Sequence, residues 1–181
     1  MKYFSRVYEN FIVIDAHINQ IISIFDELSF QIKIGKEYIL SDEFTTKIEF
    51  VSLLNHFIKD MTCYSLDIMS KNTEYKDDDV KREIETVLEF TNNTEYNLSM
   101  LKSAISQNNH YSINDALDYL DRIYKSVMEI TNTVSGVCHS DYCFVERGLL
   151  KKEEVYSSKS DSKEEEKDED KEICSVPVKL I

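Results

Sequence analysis

The sequence is poor in the residues that make tight turns. Its 181 residues include only three glycines and one proline. Sheets, hairpins and phosphate-binding loops depend on Gly and Pro at their turns, so this scarcity favours long, uninterrupted helices. The composition therefore predicts an all-α fold and excludes a Gly-rich phosphate loop.

Long apolar runs are also missing. No stretch approaches the ~18–20 apolar residues of a membrane-spanning helix. The apolar run FIVI at residues 11–14 is too short for the core of a signal peptide. We therefore expect a cytoplasmic protein without a membrane span, whose four cysteines are reduced thiols.

Positive charge is scarce as well. The chain carries 34 acidic and 21 basic residues, which gives a net charge of −13 at pH 7. Residues 1–148 are acidic in their own right, with 24 acidic and 14 basic side chains. Such a surface repels phosphate backbones, so direct binding of nucleic acid is not expected.

Apolar residues recur in a regular pattern in the first run of the chain. Nine seam positions, at alternating spacings of three and four, are all apolar: Phe4, Val7, Phe11, Ile14, Ile18, Ile21, Phe25, Leu28 and Ile32. This a/d pattern over four heptads predicts a helix over residues 3–33. Gly35 suits its C-terminal cap.

Three further runs have the same pattern and predict helices over 42–71, 78–107 and 112–134. The second begins after Ser41, with a seam at Phe50, Leu54, Phe57, Met61, Tyr64 and Ile68. We expect Cys63 to pack in that helix as a small apolar group.

The third seam is Val80, Ile84, Val87, Thr91, Thr94, Leu98, Leu101 and Ile105. Its two threonines predict a soft point near 91–95, which is interpreted as a hinge, a polar core layer or a tolerated defect. The fourth seam runs from Ile113 to Val134, with Ser112 as N-cap and Gly136 as C-terminal cap.

Four helices of this length with short connections predict an antiparallel, up-down-up-down four-helix bundle over residues 1–136. A Cys-containing loop or short extension follows over 137–150. The wide apolar faces also allow a homo-oligomer.

Common bundle chemistries are missing from the sequence. A ferritin-like di-iron site needs Glu-x-x-His twice, but the motif does not occur and the seams contain no carboxylate. The Arg-x(4–6)-His motif of toxin-type helical ribonucleases is absent too. We therefore predict a protein that is not an enzyme and carries no cofactor.

One histidine offers an alternative. His56 is followed three residues later by Lys59, which resembles the His-x-x-Lys-Gly phosphoacceptor motif of histidine phosphotransfer domains. The resemblance implies that His56 accepts a phosphoryl group and that Lys59 stabilises its oxygens. The glycine position is Asp60 here, which adds bulk and negative charge.

Four side chains are zinc-ligand candidates: Cys138, His139 and Cys143 after the fourth helix, and Cys174 beyond the polar tract at 151–172. The Cys-x4-Cys spacing is less typical of structural zinc than Cys-x2-Cys. Adjacent Cys138 and His139 would also strain to bind one ion. The favoured interpretation is a loop with small buried thiols and no metal.

The C-terminus combines a polar tract with an apolar end. Residues 151–172 are almost entirely Lys, Glu, Asp and Ser, which predicts a disordered acidic tether spanning about 25 Å root-mean-square. Residues 173–181 read ICSVPVKLI, and Pro177 favours an extended chain. This segment is a predicted docking peptide, with contacts from Ile173, Val176, Pro177, Val178, Leu180 and Ile181. Folding back onto its own bundle and a frayed end are the alternatives.

Together these features predict a helical-bundle adaptor or regulatory protein that binds another protein. Two alternatives remain open at this point. One is a phosphotransfer-like signalling module using His56, and the other is an acidic inhibitor of a nucleic-acid-binding protein.

Overall fold

The structure, a computed structural model, describes residues 2–71, 78–107 and 110–138. Four α-helices make up nearly all of them: α1 (Lys2–Ile34), α2 (Asp42–Ser70), α3 (Asp78–Ser106) and α4 (His110–Cys138). Across these ranges there is no strand, so the predicted all-α class is confirmed. None of these helices has an apolar stretch long enough to cross a bilayer.

The four helices form a closed ring in which each helix packs on the next and α4 packs on α1. α1 and α2 run antiparallel, as three cross-helix contacts show: Asn10 with Ser65, His17 with Phe57, and Glu27 with Lys47. This ring is the arrangement expected of an up-down-up-down bundle.

The chain divides into two units, Met1–Ser140 and Asp141–Ile181. The second unit lies wholly outside the described residues. The predicted tether at 151–172 and the docking peptide at 173–181 therefore stay predictions.

The α1 seam is buried as predicted. Its seven residues from Val7 to Leu28 are at most 3% exposed, and Ile32 is half-buried. Gly35 follows the helix directly, and its N–H donates to the Gln31 carbonyl at 3.1 Å. Its φ of −162° is extended rather than left-handed, because the chain turns straight into a 3-10 helix at Lys36–Leu40.

This 3-10 helix was not predicted from the sequence. It places Ile39 in the core with no exposed surface. The Tyr38 ring meets the Phe44 ring edge-on, with centroids 6.0 Å apart. The connection between α1 and α2 is therefore anchored by apolar packing at that end of the bundle.

α2 begins where predicted, because Ser41 is a working N-cap. The Ser41 hydroxyl oxygen accepts a hydrogen bond from the Phe44 N–H at 3.1 Å. Asp42 and Glu43 occupy the first turn, where carboxylates interact favourably with the helix dipole.

The predicted seam of α2 is wrong for its aromatic residues. Phe50, Phe57 and Tyr64 are 49%, 40% and 48% exposed, whereas Leu54 and Ile68 are buried. The other eight buried residues of α2 form a second a/d series, shifted by one residue along the chain: Phe44, Ile48, Val51, Asn55, Ile58, Thr62, Ser65 and Met69. Cys63, expected inside, is exposed for the same reason.

The core tolerates the polar members of this series because they find hydrogen-bond partners. The Asn55 Nδ2 group donates to the Thr91 carbonyl of α3 at 3.0 Å. The Ser65 hydroxyl accepts from Asn10 of α1 at 3.0 Å and donates to the Met61 carbonyl at 2.9 Å. The cost of burying these groups is thereby reduced, and α2 can turn its aromatic side outward.

α3 buries its predicted seam from Val80 to Leu101, including both threonines. The helix continues without interruption through residues 91–95, so the threonines do not break it. The Thr91 hydroxyl donates to the Leu88 carbonyl at 2.8 Å, which satisfies it within the helix. Thr91 forms a polar layer of the core with Asn55, whose Nδ2 group donates to the Thr91 carbonyl.

α4 is longer than predicted at both ends. It starts two residues before Ser112, so Ser112 is not its N-cap. It also passes through Gly136 and ends at Cys138, because Val134 and Val137 continue the buried seam. A glycine inside a helix costs only about 1 kcal/mol, which this burial outweighs.

Candidate functional site

The outer face of α2 carries a row of exposed apolar side chains, which we call the outer stripe: Phe50, Leu53, Phe57 and Tyr64. Leu53 is 68% exposed, and the three aromatic residues are each between 40% and 49% exposed. The aromatic residues lie seven positions apart, so they stay on one side of the helix. α2 therefore has two apolar faces, one buried in the core and one that stays partly exposed.

α1 supports the middle of the outer stripe. The His17 ring stacks on the Phe57 ring, with centroids 4.5 Å apart and planes 18° from parallel. The His17 Nδ1–H donates to the Val13 carbonyl at 2.7 Å, which fixes the orientation of the ring. Val13 itself is 39% exposed. The apolar surface thus extends from α2 onto α1.

Charged groups lie at the beginning of α2. Lys47 Nζ lies 2.6 Å from Glu27 Oε1 of α1 and 2.8 Å from Glu43 Oε1. It also donates to the Tyr38 hydroxyl at 3.4 Å. The two carboxylates raise the pKa of Lys47, and hydrogen bonds from Lys47 and Tyr38 lower the pKa of Glu43. This cluster connects α1, the 3-10 helix and α2.

The other end of α2 carries a second ion pair. Lys71 Nζ lies 2.5 Å from Asp67 Oδ2, and both side chains are at least half exposed. The outer stripe is therefore bounded at each end by one acidic and one basic side chain, of which Lys71 belongs to the C-cap of α2.

His56 and Lys59, the phosphotransfer candidates, lie on the α3 side of α2. The His56 side chain is 66% exposed, and its Nε2 lies 3.6 Å from Asp60 Oδ2. Lys59 Nζ is bound to Glu95 Oε2 at 2.5 Å. Each of the two side chains therefore lies beside a carboxylate. The Lys59 amine is paired with Glu95 and is not free to stabilise a phosphoryl group on His56.

A groove of about 430 Å³ separates the outer surfaces of α2 and α3. It is lined by Glu49, Ser52, Leu53, Asn55, His56, Glu95 and Lys102. Asn55 is only 2% exposed, and its Oδ1 has no hydrogen-bond partner among the described residues. The groove is mixed in polarity and carries both signs of charge, so it defines no single ligand class.

The zinc candidates are mostly outside the described residues. Cys138 is half-buried in the last turn of α4. His139, Cys143 and Cys174 lie beyond the described part of the chain. Within residues 2–71, 78–107 and 110–138, no three His, Cys, Asp or Glu side chains are grouped to hold a metal ion. The zinc hypothesis stays a prediction.

Sequence reasoning missed the outer stripe because it assigned those aromatic residues to the core. The clue was present in the sequence as a second a/d series, which runs through Ile48, Val51 and Ile58. Its polar members, Asn55, Thr62 and Ser65, interrupt the apolar pattern. A helix with two apolar series has one more apolar face than a bundle partner needs.

Comparison of the chain with protein-family models, with curated proteins and with solved structures finds no match.

Proposed function

We propose that this chain is a non-enzymatic protein-binding bundle whose outer stripe receives an amphipathic helix of a partner. The observation that supports this most directly is the exposure of Phe50, Leu53, Phe57 and Tyr64 in one row. Contiguous apolar surface of this kind costs solubility and marks sites of protein interaction. Heptad spacing suits a helix lying along α2, because a partner's side chains then meet the stripe at every second turn.

The adaptor or regulatory role and the cytoplasmic location belong to the same proposal. The acidic surface supports them only indirectly, by disfavouring nucleic acid as the partner. The peptide at 173–181 is a second proposed contact with a partner. The phosphotransfer alternative is less favoured, since Asp60 and Glu95 place negative charge beside His56 and Lys59.

The test is site-specific photo-crosslinking in the native host. A crosslinking phenylalanine analogue replaces Leu53 in one variant and Phe30 in a matched control, because Phe30 is 62% exposed on α1 and is not part of the stripe. We expect a defined covalent protein adduct from position 53 and none from position 30.

A second arm removes residues 173–181 by truncation after Glu172. An adduct from position 53 that persists after truncation assigns binding to the stripe, and one that disappears assigns it to both contacts. The absence of any protein adduct from position 53 would contradict the proposal.

A further inference from the structure

We infer that the helix received by the outer stripe is α2 of a second copy of this chain, packed antiparallel with Phe57 on the two-fold axis. This inference rests on the proposed function and names its partner.

The first argument is the order of side chains along α2. The residues at heptad spacing along α2 and its C-cap are Glu43, Phe50, Phe57, Tyr64 and Lys71. They span about 42 Å at ~1.5 Å per residue. The row has an ion pair at each end, with the acid outermost at one end, the base outermost at the other, and aromatic rings between them.

The row is chemically self-complementary about its midpoint. If a second α2 lies antiparallel across Phe57, Phe50 meets Tyr64 of the partner copy and Leu53 meets Met61. At the ends, the Glu43–Lys47 ion pair of one copy meets the Asp67–Lys71 ion pair of the other, with Glu43 facing Lys71 and Lys47 facing Asp67. A parallel pairing would instead place each of these charges against its own copy, so the charges favour the antiparallel arrangement.

Such a pairing is isologous, because the same patch serves both copies and the assembly closes at two. Aromatic side chains bury ~150–250 Å² each, so the exposed half of the stripe offers roughly 400 Å² of apolar surface per copy. A standard interface uses about 800 Å² per partner, so the stripe supplies about half of that area. An interface of this size corresponds to a weak, reversible dimer that forms at high protein concentration.

The C-terminal peptide is a poorer occupant. The stripe repeats every seven residues, which matches a helix. Pro177 prevents the peptide at 173–181 from forming one. An extended chain repeats every two residues and would not follow the stripe over its length.

The first experiment is sedimentation equilibrium of the full chain over a wide concentration series. We expect the mass to rise from 21.2 kDa toward twice that value. Leu53→Glu is expected to stay monomeric where the native chain is dimeric, since it buries a charge at the interface. Phe30→Glu, the matched control, is expected to dimerise like the native chain.

The second experiment tests the register. Met61→Lys alone is expected to abolish dimerisation, as Leu53→Glu does. Mixing the two variants is expected to restore a dimer, because the introduced carboxylate then faces the introduced ammonium. The two groups meet only if position 53 lies opposite position 61, so the restored dimer establishes the register. Circular dichroism of each variant establishes that the helices are intact.

A native chain that stays monomeric at every concentration would overturn the inference, as would a mixture that fails to associate. The photo-crosslinking separates this failure from that of the proposed function. An adduct to a different protein would retain the proposed function and reject self-pairing. An adduct to the same chain supports both.

Discussion

At the residue scale, the polar side chains inside the bundle decide how α2 sits. Asn55 is almost fully buried and uses its Nδ2 group to bind the Thr91 carbonyl, while its Oδ1 has no partner among the described residues. A buried acceptor without a donor costs roughly 1–3 kcal/mol, whereas the hydrogen bond returns about 1 kcal/mol. Asn55 therefore orients α2 against α3 at the expense of stability.

We accordingly predict that Asn55→Leu stabilises the bundle. Removing the unpaired oxygen and adding apolar volume is expected to raise the free energy of unfolding by about 1 kcal/mol. Asn55→Ala is the control and is expected to lower it, because it leaves a cavity. Urea denaturation measures both, and a destabilised Asn55→Leu would show that the bond to Thr91 outweighs the unpaired oxygen.

Glu43 gives a prediction about acid stability. Hydrogen bonds from Lys47 and Tyr38 hold its pKa below the ordinary value of 4.5 in the folded chain. A carboxylate with a lowered folded pKa stabilises the fold above pH 4.5, and this contribution is lost as the pH falls through the folded value. We expect Glu43→Gln to lose less stability than the native chain between neutral pH and that acid range. Thermal unfolding across the pH series measures this, and identical slopes for the two chains would contradict it.

At the scale of the element, the sequence of α2 is compatible with two different core-facing sides. Two a/d series run along it, one nearly all apolar and one with Asn55, Thr62 and Ser65. The apolar series looked like the better core face. The structure uses the other, because neighbouring helices supply partners for Asn55 and Ser65, and no single-helix pattern contains that information.

Two neighbouring residues of α2 test this assignment. Ile58 is 1% exposed, and Phe57 is 40% exposed. Ile58→Ala is expected to cost about 2–5 kcal/mol in unfolding free energy through the cavity it creates. Phe57→Ala is expected to cost only about 1 kcal/mol, mainly its stacking on His17. Chemical denaturation of both variants measures the difference, and the reverse order would restore the series predicted from the sequence.

At the scale of the whole molecule, acidic charge dominates. The net charge is −13, and the exposed ion pairs of the bundle are mostly single pairs within one helix. Exposed pairs contribute about 0–1 kcal/mol each and weaken in salt. Self-repulsion of the excess carboxylates also weakens in salt, and it acts over the whole surface.

We therefore predict that added sodium chloride stabilises the fold. The unfolding midpoint is expected to rise between low salt and about 0.15 M, where the Debye length falls to about 8 Å. Leu53→Glu is measured alongside, so that a change in self-association does not contribute to the shift. A midpoint that falls with salt would mean that ion pairs such as Lys47–Glu27 outweigh the repulsion.

For the residues that the structure describes, the sequence by itself determined the helical class, the four α-helices, the α1 seam and the Ser41 cap of α2. Each of these follows from local spacing and from backbone groups within one turn. Only the tertiary structure decided the rotation of α2, the added turns of α4 and the burial of Ile39. Those depend on which surface each neighbour offers, and the free energy of burying a side chain is set by partners distant in the chain. The outer stripe belongs to this second group, since a residue is exposed only when no other element covers it.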